Sequence, residues 1–97
     1  MTEAEKITDE LRKNMLYLKE RYSVSSLGLF GSHVHGEQQG GSDVDILVEF
    51  EDSPSLLKFI ALERHLSDLI GKKVDLVMKS ALKPKIGERI LEEVVSI

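Results

Sequence analysis

The chain has no cysteine, which excludes disulfides, thiolate-ligated metals and a cysteine nucleophile, and leaves any chemistry to oxygen and imidazole groups. It lacks any apolar stretch near the ~20 residues needed to span a bilayer. Its opening, Met1-Thr2-Glu3-Ala4-Glu5-Lys6, is polar where a signal peptide carries an apolar core. A cytoplasmic protein with no membrane association is expected. Net positive charge is missing too: 13 Lys plus Arg against 17 Asp plus Glu leave −4, the wrong sign for a chain that lives on a nucleic-acid backbone. A small nucleotide or a protein partner suits that balance better. The basic residues Lys72, Lys73, Lys79, Lys83, Lys85 and Arg89 collect late in the chain, either as a solvated helix flank or as contacts for phosphates or an acidic partner.

What is present describes one small globular unit. With 97 residues, 41% of them hydrophobic and 31% charged, a single domain over residues 1–97 with one core is expected. Apolar residues at Ile7, Leu11, Met15, Leu18 and Tyr22 step by three or four, predicting one amphipathic helix from Thr2 to Tyr22, with Thr2 and Glu5 as a capping box. Val24 to Phe30 reads as a short strand ending at Gly31, and His33 to Ser42 as a glycine-rich loop. Asp43 to Phe50 is the clearest strand: Val44, Ile46, Val48 and Phe50 alternate with Asp43, Asp45, Leu47 and Glu49.

Ser53 as N-cap with Pro54 at the first helical position predicts a helix running to Ile70, stopped by Gly71. Lys73 to Met78 reads as a third strand and Pro84 to Val95 as a last helix, with Ile86, Ile90, Leu91, Val94 and Val95 on its apolar side. A helix between the second and third strands is a crossover. The fold class is therefore α/β (α+β), a small mixed β-sheet flanked by helices. Tyr17, Tyr22 and His65 are expected to pack, while His33 and His35 read as exposed loop residues or phosphate contacts. Sequence also leaves room for self-association through the apolar faces of the first and last helices.

The candidate site lies where glycine and carboxylates meet. Gly31-Ser32 ends the first strand, and after ten intervening residues Asp43-Val44-Asp45 opens the second. Residues two apart on a strand share a face, so the two carboxylates aim at one point beyond a glycine-rich turn. Hard oxygen ligands of this kind suit Mg²⁺, which is usually held by one or two carboxylates together with substrate phosphates. Asp75, the carboxylate of the third strand, is flanked by Val74, Leu76 and Val77. Among such neighbours an unpaired carboxylate costs free energy, which a shared cation relieves.

Gly31-Ser32, the gap to Asp43-x-Asp45, and Val74-Asp75-Leu76-Val77 together resemble the minimal nucleotidyltransferases, the MntA-like branch of the polymerase-beta superfamily, over nearly the whole chain. The resemblance implies a polymerase-beta-like nucleotidyltransferase fold in which Asp43, Asp45 and Asp75 bind two Mg²⁺ ions, with Asp75 also the candidate general base. It assigns triphosphate binding to Gly31 and Ser32, with His35 and Ser42 as further nucleotide contacts. Many members carry Ala-Arg-Gly where this chain has Val34-His35-Gly36, so a titratable imidazole replaces a fixed positive charge. The implied activity is transfer of AMP from Mg-ATP to a hydroxyl, a tyrosine of a partner protein, with the chain serving as antitoxin to a HEPN-domain toxin. ATP as donor rests on the resemblance, since no residue in the sequence reads the base. The competing expectations are an antitoxin that works by binding alone, or a transferase acting on a small molecule or an RNA end.

Overall fold

A computed structural model describes residues 2–35 and 43–97. The elements run α1 (Glu3–Lys13), α2 (Met15–Tyr22), β1 (Val24–Phe30), the single turn α3 (Ser32–His35), β2 (Val44–Phe50), α4 (Leu56–Ile70), β3 (Val74–Met78), a 3₁₀ turn (Lys79–Ala81), α5 (Pro84–Glu93) and β4 (Val95–Ser96). The four strands form one sheet in the order β3-β2-β1-β4. β1 pairs antiparallel with β2 and with β4. β2 and β3 are parallel, as the α4 crossover requires.

Most of the expected architecture is present, with instructive departures. The first helix is broken at Asn14 into α1 and α2. The Asn14 side chain donates to the Glu10 carbonyl at 2.8 Å and its backbone leaves helical geometry at φ −104°, ψ 2°, which is how a short amide competes with the helical ladder. Thr2 does cap α1, accepting from the Glu5 amide at 3.1 Å. The cap of α4 is Ser55 rather than Ser53: Ser55 accepts from the Lys58 amide at 3.2 Å. Two serines flank Pro54, and local chemistry cannot choose between them. α5 stops at Glu93, and Val95–Ser96 instead adds a strand to the free edge of β1, which satisfies backbone groups there. The expected loop after Gly31 begins with the helical turn α3.

The core lies between the inner sheet face and α1, α2 and α4. Leu11, Leu18, Val24, Leu29, Val44, Ile46, Leu62 and Leu66 are fully buried there. The outer face carries Asp45, Leu47, Glu49, Asp75 and Val77, and the end of α5 crosses part of it. Gly28 makes that crossing possible, because a Cβ at this position would overlap the Val94 side chain. The apolar stripe of α1 is consumed by the core, whereas Ile86 and Leu91 on α5 stay exposed. Exposed apolar side chains therefore remain on α5 and, at Leu16 and Tyr17, on α2. Among the described residues no helix is long and apolar enough to cross a membrane.

β3 is an edge strand, and α4 closes its outer side. Ser67 Oγ accepts from the Val74 amide at 3.0 Å, and Glu63 Oε2 accepts from the Leu76 amide at 2.9 Å. Ser67 also donates its hydroxyl to the Glu63 carbonyl at 2.9 Å. Its own carbonyl receives the amide of Gly71, which ends the helix in left-handed geometry at φ +76°.

Candidate active site

The site forms where β1 ends and β2 and β3 begin. Gly31 turns the chain out of β1 at φ +81°, a conformation that costs any residue with a side chain about 1–2 kcal/mol. A Cβ at Gly31 would also overlap the Asp45 carboxylate, whose Cγ is 3.0 Å from that position. Backbone and carboxylate can approach this closely only because the residue is glycine. The ladder then sets Asp45 directly beside Asp75 on β3, and Asp43 lies two residues before Asp45 at the mouth of β2. The three aspartates named from sequence therefore share one end of the sheet.

Electrostatics registers their proximity. Burial pushes the Asp45 carboxyl above the ordinary aspartate range, the charges of Asp75 and Asp43 push it further, and His33 pulls the other way. Such a set relaxes when a cation arrives. Among the described residues no three carboxylates or imidazoles converge as a complete metal cage; what the site offers is a short row of carboxylate oxygens, the donor type that Mg²⁺ takes together with substrate phosphates. Asp75 is exposed to solvent rather than enclosed by its apolar neighbours. The burial penalty expected for it is therefore absent, and its significance comes from register with Asp45.

Lys73 enters the site from the start of β3, its Nζ 3.8 Å from Asp43 Oδ2. Two other members of the basic group have structural partners: Lys72 pairs with Glu3 at 2.8 Å and Lys79 with Glu49 at 3.1 Å. Glu49 thus belongs to the far end of the sheet. Tyr22 and His65 pack as expected, and the half-exposed Tyr17 stacks on His65 with ring centroids 5.3 Å apart. Ser42 and residues 36–41, including Gln39, Gly40 and Gly41, lie outside the described residues, as do the side chains of Ser32 and His35.

His33 differs most from expectation. Sequence reads it as an exposed loop residue or a phosphate contact, but α3 tucks it inward to 2% exposure. Neither ring nitrogen has a hydrogen-bond partner among the described residues. An unsatisfied buried polar group costs about 1–3 kcal/mol, so His33→Leu is expected to stabilise the unliganded protein by about 1 kcal/mol, read as a higher urea midpoint with unchanged m-value. A lower midpoint would contradict this account of the imidazole.

The family model described as "Nucleotidyltransferase domain" matches residues 11–97. The protein adenylyltransferase MntA of Thermococcus cleftensis is 52% identical over 97 residues, covering 100% of this chain and 98% of the relative. A solved minimal nucleotidyltransferase superposes with a TM-score of 0.81 at 33% identity, covering 100% of this chain and 97% of the other. A crystal structure of a toxin–antitoxin with AMP-PNP superposes at 0.69 and 25% identity, covering 96% of this chain and 70% of the other. The chain belongs to the nucleotidyltransferase family, in its minimal branch of MntA-like protein adenylyltransferases.

Proposed function

We propose that this chain moves AMP from Mg-ATP onto a tyrosine hydroxyl of a partner protein, and that the partner is a HEPN-domain toxin silenced by the modification. The observation that carries this reading is the close approach of Gly31 to Asp45, with Asp75 in register beside it. A phosphate-cradling turn and a row of carboxylates then meet at one point. In this reading Asp43, Asp45 and Asp75 hold two Mg²⁺ ions. Gly31 and Ser32 receive the triphosphate, and His35 and Ser42 add contacts to the nucleotide. Held there, the metal would supply charge neutralisation at the phosphates and would make the acceptor hydroxyl more acidic.

The acceptor oxygen attacks the α-phosphorus and its proton passes to the Asp75 carboxylate. The bond from the α-phosphorus to its bridging oxygen breaks, and pyrophosphate leaves. Asp75 is suited to take the proton because it is exposed at the mouth of the site, where a bulky acceptor can reach it. The structural relative crystallised as a toxin–antitoxin with AMP-PNP supports a toxin as partner and an adenine nucleotide as donor.

Intact-mass measurement of the HEPN partner, incubated with this chain and Mg-ATP, tests the proposal. Whole AMP increments that fragment to a tyrosine are expected, and they should vanish when that tyrosine is changed to Phe. A partner held tightly but unmodified would establish neutralisation by binding alone. Increments on RNA or a small molecule would reassign the acceptor.

A further inference from the structure

We infer that Glu63 and Ser67 of α4 are positioning residues for the carboxylate site, clamping Asp75 by the amides on either side of it. This rests on the proposed role of Asp75. β3 has a strand neighbour on one side only, and Asp75 is exposed, with no hydrogen bond or ion pair of its own side chain among those of the described residues. Its place is therefore set by its backbone. On the inner side that backbone is fixed by β2, where Asp75 lies opposite Asp45. On the outer side the Val74 amide donates to Ser67 and the Leu76 amide to Glu63, at 3.0 and 2.9 Å. The two acceptors stand four residues apart on one face of α4, and the residues they hold are the two that bracket Asp75.

Ser67 adds a second constraint. Through its carbonyl it anchors the Gly71 amide at the helix end, and through its hydroxyl the first residue of β3. The helix end and the strand start therefore move as one piece. A metal site needs its carboxylates held to within about 0.5 Å, and partners that orient ligands from outside typically change metal affinity or activity by about 10–100-fold when removed. An edge strand freed on its outer side is held only by β2 and by the buried side chains of Val74 and Leu76, which leaves Asp75 more freedom to move relative to Asp45.

The test is Mn²⁺ titration by electron paramagnetic resonance of the full chain with a non-hydrolysable ATP analogue, alongside the Mg²⁺ dependence of transfer. Glu63→Ala and Ser67→Ala are expected to weaken Mn²⁺ binding about tenfold or more and to raise the Mg²⁺ concentration for half-maximal transfer in step. Glu63→Gln keeps an acceptor oxygen and is expected to stay within about twofold of wild type, a rescue that a charge effect would not give. Ser67→Ala removes only a hydroxyl and carries the test if Glu63→Ala does not fold. Unchanged Mn²⁺ affinity in the alanine variants, with Asp75→Ala weakened, would overturn the clamp alone. Unchanged affinity in Asp75→Ala would overturn the role of Asp75 itself.

Discussion

Asp45→Asn is expected to abolish transfer and, in the absence of metal, to make the protein more stable. The loss follows from removing a carboxylate at the centre of the row. Several kcal/mol of transition-state charge stabilisation depend on such a ligand, and at about 1.4 kcal/mol per factor of ten the rate should fall by at least about 10³. The gain in stability follows from the environment of Asp45, whose carboxyl is raised by burial and by Asp75 and Asp43. A group with a raised folded-state pKa contributes stability that is fully present below its unfolded value and lost as pH rises through the folded value. At neutral pH the ionised Asp45 therefore works against the metal-free fold, and asparagine removes that strain.

About 4–8 °C corresponds to 1 kcal/mol in a domain of this size. Because solvent screens part of the repulsion at a half-buried carboxylate, a rise of a few degrees is expected. Two further readouts separate this from generic stabilisation. The advantage of Asp45→Asn should shrink as pH is lowered toward the ordinary aspartate range, where the wild-type carboxyl takes up its proton. Mg²⁺ with nucleotide should raise the melting temperature of wild type and leave the variant unmoved. A variant less stable than wild type at neutral pH without metal would show that Asp45 is held by attraction rather than strained by repulsion.

Gly31→Ala should be the most damaging glycine-to-alanine change among the described residues. The added carbon meets two penalties: about 1–2 kcal/mol for a left-handed backbone, and overlap with the Asp45 carboxylate. The second matters more for function, because displacing a reacting group by about 1 Å can cost 10²-fold in rate. Gly71→Ala is the matched control. Gly71 has nearly the same backbone angle, φ +76°, with open space where a Cβ would stand, so Gly71→Ala should show the backbone penalty alone and keep its transfer rate. Stopped-assay rates and melting curves for the pair isolate the contact with Asp45. Equal activity in the two variants would mean that the approach of Gly31 to Asp45 has no catalytic consequence.

The sequence was informative wherever one local rule acted without competition. Alternation along Val44–Phe50 marked a strand with one face buried. Gly71 stopped α4, and a helix between two strands required β2 and β3 to be parallel. The convergence of Asp43 and Asp45 beside the Gly-Ser turn was legible in one short motif, whereas Asp75 stands on a separate strand and only the parallel register sets it beside Asp45. What escaped depended on partners distant in the chain. Asn14 occupies a position where helical periodicity continues on both sides, so only its side-chain bond to Glu10 reveals the break. β4 is two residues long and exists because β1 has a free edge.

His33 was read as part of the glycine-rich loop, exposed or touching phosphate, although it is buried by the inward turn of α3. The roles of Glu63 and Ser67 left a fainter trace: a carboxylate and a hydroxyl four residues apart, adjoining the buried Leu62 and Leu66, on a helix only three residues from the next strand. That spacing indicates side chains facing a sheet edge, but not which amides they receive.

The most direct test of the account is transfer of label from α-labelled ATP with Mg²⁺ into the proposed HEPN-domain partner, comparing wild type with Asp43→Ala and Asp75→Ala. Label in the partner with wild type, and in neither variant, is the expected result. A stable complex that carries no label with wild type, or label that persists in both variants, would contradict the claim that this row of aspartates performs the transfer.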